Sequence, residues 1–212
     1  RQLSTVMPWF DKSIDLVIAT HPDADHIAGL VPVLERYDVD YFMEPGVEAD
    51  TGVYRQLVKQ IDTLVTESKL EKILARRGMR IILWDQVYLD ILFPDRDVSS
   101  LDTNDASIIA RLVYGEESFL LTGDAPKKME QYLVSLDGEQ LATSVLKVGH
   151  HGSKTSTDPE FVSAVNPDYA IISAEKNSRY GHPHQVTLDT LEKLKIKILN
   201  TAEDGNIEFK TD

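Results

Sequence analysis

The sequence predicts a layered α/β fold, and three observations carry that prediction. Short apolar runs of strand type alternate with segments of helical period along the whole chain. Several of these runs lead into a metal-capable residue: His21, Asp124 and His150 each follow one within one to three positions, and another run precedes the loop of His182. Open α/β sheets place their sites at strand carboxyl ends. All six histidines, moreover, fall in three short clusters, His21/His26, His150/His151 and His182/His184, rather than scattering over 212 residues.

The elements follow in order. Residues 14–19 (Ile-Asp-Leu-Val-Ile-Ala) read as a buried strand that ends just before His21. Pro32 predicts that the next helix begins near Leu30 or Val31, leaving His26 on a loop or a first turn. Tyr54, Leu57, Val58, Ile61, Leu64 and Val65 recur at helical spacing and mark an amphipathic helix. Four strands follow at 80–84, 87–93, 107–113 and 118–122, the last two joined by the hairpin turn Tyr114-Gly115-Glu116-Glu117. A helix is expected from Pro126, strands at 145–148 and 169–173, a helix through Leu188, Leu191 and Leu194, and a final strand at 196–199. With no repeat, low-complexity tract or linker, residues 1–212 are expected to form one domain.

Composition narrows the classes. A hydrophobic fraction of 42% and a charged fraction of 27% are those of an ordinary globular protein. No run approaches the roughly 20 apolar residues of a membrane span, and the first residues lack the apolar core of a signal peptide. A soluble domain is therefore expected, its compartment undetermined. The chain begins with Arg1, so it is expected to be a piece of something longer. The absence of cysteine excludes disulfides and thiolate ligands. The net charge of −13, from 35 acidic and 22 basic residues, argues against a general nucleic-acid-binding module, whose affinity rests on basic residues. It argues less against an enzyme that meets phosphate through bound cations.

The segment His21-Pro22-Asp23-Ala24-Asp25-His26 is the most specific motif, because imidazoles and carboxylates are what hold a divalent metal when cysteine is missing. In an extended loop His21, Asp23 and Asp25 would project to one side, with His26 turned toward a second ion. Asp124 alone reads equally as a helix cap, but it stands where an anionic ligand between two cations is needed. His150 and His151, flanked by Gly149 and Gly152, point to close approach of a substrate, with an imidazole available to hold a phosphoryl oxygen or protonate a leaving group. Ser153 follows them directly. Of His182 and His184, His182 is the preferred ligand, since Pro183 stiffens the loop after it. Asn104 and Ser107 are the weakest candidates and are read as lining the site.

With these residues assembled, the chain resembles the metallo-β-lactamase fold superfamily, most nearly the soluble domain of ComEC-type DNA-uptake (competence) proteins. The resemblance rests on Thr-His-Pro-Asp-Ala-Asp-His-Ile-Ala-Gly-Leu at 20–30, Asn-Asp-Ala-Ser at 104–107, Leu-Leu-Thr-Gly-Asp-Ala at 120–125, Lys-Val-Gly-His-His-Gly-Ser-Lys at 147–154 and Tyr-Gly-His-Pro at 180–183. It implies a four-layer αββα sandwich, with N-terminal strands of the family pattern expected to be missing from this chain. It also implies a hydrolytic site for one or two divalent ions, Zn²⁺ or Mn²⁺. By position His21 matches the first ligand of one metal, with Asp23 where many members carry a second His. Asp25, His26 and His182 match ligands of the other metal, and Asp124 the bridging carboxylate. His150 and His151 match the substrate-facing pair. No histidine stands near Asn104, where most members have one more; oxygen in place of imidazole shifts preference from Zn²⁺ toward Mn²⁺.

The function expected is metal-dependent hydrolysis of a phosphodiester, DNA being the substrate the resemblance implies, with Asp25, His150 and His151 as catalytic residues and Ser153 and Asn104 on the substrate. A membrane channel is the partner expected in a full-length protein. Two alternatives stand beside it: a small-molecule phosphoesterase, which the acidic charge favours, and a catalytically degenerate binding module.

Overall fold

The computed structural model describes residues 3–176 and 178–210. A one-turn helix α1 (Leu3–Val6) precedes strand β1 (Ser13–Ile18). Then come helices α2 (Ala24–Ile27) and α3 (Leu30–Arg36), strand β2 (Asp38–Glu44), helix α4 (Gly52–Thr66) and strand β3 (Glu71–Leu74). These three strands pair in parallel, in the order β1-β2-β3. Helix α4 covers the predicted amphipathic segment and starts where the Thr51 hydroxyl accepts from the Tyr54 amide at 3.2 Å.

The second sheet has seven strands. Strands β4 (Arg80–Trp84), β5 (Val87–Phe93), β6 (Ile109–Tyr114) and β7 (Glu117–Leu121) form an antiparallel meander. Tyr114 pairs with Glu117 across the expected two-residue hairpin. Helix α5 (Lys127–Asp137) leads to β8 (Val145–Lys147), α6 (Pro159–Val165) to β9 (Tyr169–Ile172), and α7 (Gln185–Lys193) to β10 (Lys197–Asn200), before a last turn α8 (Thr201–Asp204). Strands β7 to β10 run parallel, giving the order β10-β9-β8-β7-β6-β5-β4.

Three apolar clusters fill three interfaces, which is what four stacked layers require. Phe42, Leu57 and Ile61 belong to the cluster between the small sheet and α2–α4. Met43, Ile91, Ile108 and Ala110 pack with Leu16 and Ile18 between the two sheets. Leu120, Leu133, Phe161, Ile172 and Leu191 lie between the large sheet and α5–α7. Adjacent Phe42 and Met43 thus serve opposite faces of one strand, as a two-residue period demands. This is the αββα sandwich that the sequence predicts.

Strands β2 and β3 and helix α6 lie outside the predicted elements. Strand β2 carries acids at Asp38, Asp40 and Glu44, so its apolar run is only Tyr41-Phe42-Met43. Helix α6 does carry start and stop signals: the Asp158 side chain accepts from the Glu160 and Phe161 amides, Pro159 takes the first position, and left-handed Asn166 ends it. Among the described residues no helix is long and apolar enough to cross a membrane.

Candidate metal centre

The carboxyl ends of β1, β7, β8 and β9 meet on one edge of the sandwich, and the loops leaving them carry every predicted site residue but Asn104 and Ser107. Asn104 comes from the segment entering antiparallel β6, which starts at the same edge. That segment is tied in place by the Ile108 amide donating to the Thr20 carbonyl at 2.8 Å and by the Asp124 amide donating to the Ser107 hydroxyl at 3.1 Å.

Asp124 is the centre of the constellation. Its Oδ2 lies 3.3 Å from His26 Nε2, 3.7 Å from His151 Nε2, 3.8 Å from His150 Nε2 and 3.9 Å from His21 Nε2. Two groups have ligating atoms close enough to share a cation: His21, His26 and Asp124, and Asp25, His26 and His151. In the second, Asp25 Oδ2 stands 3.8 Å from His26 Nε2 and 3.6 Å from His151 Nε2. Most of these separations exceed a hydrogen bond, and buried His21 Nε2 and Asp124 Oδ1 have no hydrogen-bond partner. Buried polar atoms are ordinarily bonded, so two unpartnered atoms within a convergent set of imidazoles and carboxylates fit a divalent cation.

The electrostatics follow from burial and crowding. Burial, reinforced by the nearby His26 charge, pushes the His21 imidazole down to about 4. Burial alone would raise the Asp124 carboxyl, but the hydrogen bond from His26 and the charges of His26, His21 and His151 hold it well below the usual carboxylate range. His26 is the converse: burial lowers it, and the bond and charge of Asp124 more than compensate and raise it. His182 is lowered by burial and then by His150, His184 and His151.

His26 departs from expectation. It was expected to turn away from His21, but the chain closes a helical turn at Ala24–Ile27, and that rotation brings the His26 ring to 4.1 Å from the His21 ring, facing the same carboxylate. Asp23 occupies the cap position of that turn, its Oδ2 4.0 Å from His21 Nε2. Asp124 is not a helix cap, because Pro126 takes that place for α5.

His150 and His151 both have positive φ, 48° and 54°. Consecutive left-handed residues are uncommon outside glycine, and here they bring both rings over Asp124. The His151 Nδ1–H donates to the Ser173 carbonyl at 2.7 Å, which fixes the ring with Nε2 turned into the group with Asp25 and His26. His150 Nδ1 lies 3.2 Å from the Thr155 hydroxyl. Neither partner is among the sequence-derived candidates. Thr155 belongs to a hydroxyl-rich run, 155–157, that offered a weak signal; Ser173 acts through its backbone and offered none.

Two other candidates stand apart. Ser153, expected on the substrate, is buried, and its hydroxyl is engaged with Thr155 at 2.9 Å while its carbonyl accepts from Ser156 and Thr187. It braces the loop instead of facing outward. His182 belongs to neither ligating group; its ring is 5.6 Å from that of His150 and 6.3 Å from that of His151. His184 ties the loops together, its amide donating to the Gly152 carbonyl at 2.9 Å and its Nδ1 accepting from the Lys154 amide at 3.2 Å. Asn104 Oδ1 is closed off from solvent and has no hydrogen-bond partner.

Comparison with known proteins agrees with this geometry. The chain is 32% identical over 202 residues to ComE operon protein 3 of Bacillus subtilis, covering 94% of this chain and 25% of that protein. It is likewise 32% identical over 205 residues to Recombination protein 2 of Haemophilus influenzae, covering 95% and 23%. Competence protein ComA of Neisseria gonorrhoeae is 36% identical over 126 residues, 59% of this chain and 18% of that protein. The chain therefore spans about a quarter of the length of the first two relatives. Among solved structures, CmlA from Streptomyces venezuelae, a diiron β-hydroxylase, superposes with a TM-score of 0.57 at 14% identity, over 92% of this chain and 44% of that one. Igni18, a metallo hydrolase from Ignicoccus hospitalis, superposes with a TM-score of 0.50 at 19% identity, over 92% and 80%. A hydroxylase beside a hydrolase shows that the fold alone does not select the chemistry. The model of the metallo-beta-lactamase superfamily matches residues 9–175, and this chain, with its imidazoles and carboxylates gathered at the sandwich edge, belongs to that superfamily of metallo-hydrolases.

Proposed function

We propose that this protein is a metal-dependent phosphodiesterase acting on DNA, in the DNA-uptake setting that its likeness to competence proteins suggests. The observation that supports this most is the pair of ligating groups joined through His26 and the Asp124 carboxylate, on an edge open enough to leave the Asp25 side chain 67% exposed. His21 and Asp124, with Asp23 beside them, would hold one cation; Asp25, His26 and His151 would hold its neighbour, with His182 facing that group from outside. Such ions, Mn²⁺ or Zn²⁺, supply Lewis acidity toward a phosphoryl oxygen and charge for the leaving oxygen.

The side chains do the remainder. Asp25, exposed at the edge, orients an attacking water and accepts its proton. His150, its Nδ1 placed by Thr155, presents Nε2 to the departing alkoxide as proton donor. The open edge accommodates a polymer, which an enclosed pocket does not.

The test is the double variant Asp25→Ala/Asp124→Ala. Metal-stimulated cleavage of an oligonucleotide should fall to background while the circular dichroism spectrum is retained; undiminished cleavage rejects the mechanism. The net charge of −13 favours a second reading, a small phosphoester substrate. Faster turnover of bis-nitrophenyl phosphate than of any oligonucleotide would select it.

A further inference from the structure

We propose that Tyr180 and Arg179 form a base-stacking platform beside the metal centre, so that the nucleic acid taken is an unpaired strand. The inference rests on the phosphodiesterase reading and specifies its substrate.

A column of rings runs outward from the ligating groups. His26 and His151 have their centroids 5.2 Å apart. The His151 and His182 rings follow at 6.3 Å with planes 18° apart, and His182 and Tyr180 at 5.8 Å with planes 28° apart. The column ends in solvent: Tyr180 is 60% exposed. The Arg179 guanidinium lies 4.6 Å from the Tyr180 ring centroid and donates to its hydroxyl at 2.6 Å.

A single exposed tyrosine is ordinary on any surface. This one is near-parallel to His182, which is near-parallel to His151 of the site, before the rings tilt by 44° at His26, and burial does not explain why an aromatic stands there. Phenol rings and guanidinium planes are the surfaces on which unpaired bases stack. In a duplex interior both base faces are already covered by neighbours, so such a platform engages a single strand or a frayed end. Local charge agrees with the placement. The loops 153–157 and 174–184 that carry this edge contain Lys154, Lys176 and Arg179 against Glu175, in a chain whose net charge is −13. A nucleotide whose base stacks against Tyr180 and its Arg179 guanidinium would carry its phosphate toward His182 and His150, whose rings are 5.6 Å apart.

The test uses fluorescence anisotropy with a labelled single-stranded oligonucleotide, the same strand made abasic, and a blunt duplex, first in chelator and then with Mn²⁺. The natural protein should bind the base-bearing strand about ten-fold more tightly than the abasic one. Tyr180→Ala should erase that preference while Mn²⁺ affinity by calorimetry stays unchanged, Tyr180→Trp should keep it, and Arg179→Ala should reduce it. A natural protein that binds both strands alike overturns the platform. So does a Tyr180→Ala variant that keeps the preference, or one that loses Mn²⁺ affinity with the preference intact, since Tyr180 would then only brace His182. Loss of the phosphodiesterase reading shows differently, as absence of cleavage with every metal, and the binding preference still decides the platform.

Discussion

The two sheets build the same edge in different ways. The small sheet contributes His21, Asp23, Asp25 and His26 from a single loop and helical turn after β1. The large sheet contributes Asp124, His150, His151 and His182 from the ends of three neighbouring parallel strands. One set is contiguous in sequence and is shaped by local backbone; the other is assembled by strand pairing and by loops braced against one another. The small-sheet residues are therefore tolerant of local change, whereas the large-sheet residues depend on tight contacts between loops far apart in sequence.

The sharpest way to break that comparison is at the point the halves share. Asp124→Ala should weaken divalent-metal binding at least about 100-fold by calorimetry, because histidines from both halves face its Oδ2. Asp23→Ala should stay within about ten-fold, its carboxylate being partly exposed and 4.0 Å from His21. Equal losses would mean that Asp124 is not the point the two halves share.

Loop bracing makes the next prediction. Gly152 has φ +82°, and a Cβ there would lie 2.7 Å from the Pro183 Cβ, pressing the His150–His151 loop into the His182 loop. Gly152→Ala should cost about 2–3 kcal/mol in a urea melt and also lower metal affinity. An effect below about 0.5 kcal/mol would show that these loops are not interlocked.

Glu130 sharpens the same point through pH. It is buried on α5, and its two oxygens accept from the Thr157 and Asp158 amides at 2.9 and 2.7 Å, anchoring the loop after His150–His151. Burial pushes its carboxyl up to about 7, although those two amide bonds lower it. Between the unfolded pKa of roughly 4.3 and that value, the folded state holds a proton that the unfolded state has released. Its contribution is thus complete below the unfolded pKa and is lost as pH rises through 7. Relative to Glu130→Gln in chemical melts, the natural protein should lose stability progressively from about pH 5 to pH 8. A slope unchanged in the variant sinks this assignment.

The smallest effect is expected in the small half. Gly29, just before α3, has right-handed φ −72° and no atom within 4 Å of a Cβ position. Gly29→Ala should be neutral or stabilise by about 0.4–1 kcal/mol in the same urea melt. A loss comparable to that of Gly152→Ala would erase the contrast between the halves.

The same contrast governs what was legible. The predicted strand at 87–93 is β5 residue for residue, and the hairpin at Tyr114–Glu117 is in register, because alternation and turn chemistry are local. Strands β2 and β3 escaped because acids interrupt one and four residues make up the other; only their neighbours in the sheet make them strands. Helix α6 escaped although its Asp158-Pro159 start was written plainly. The direction of His26 is not legible in sequence, because an extended loop and a single helical turn are indistinguishable over six residues.

Residue chemistry and local period were enough to establish that imidazoles and carboxylates follow strand ends and that the layers are α and β. That information survives in one dimension because ligand type and apolar spacing are properties of neighbours in sequence. Which nitrogen faces which oxygen came only from the folded chain. Asp124 at the centre, His151 beside Asp25 and His26, Ser153 turned inward and Tyr180 at the end of a ring column all depend on distances between segments up to about 130 residues apart, as for His26 and His151 with a sequence separation of 125. Such distances are set by sheet pairing and by three packed cores acting together, and no short stretch of sequence contains them.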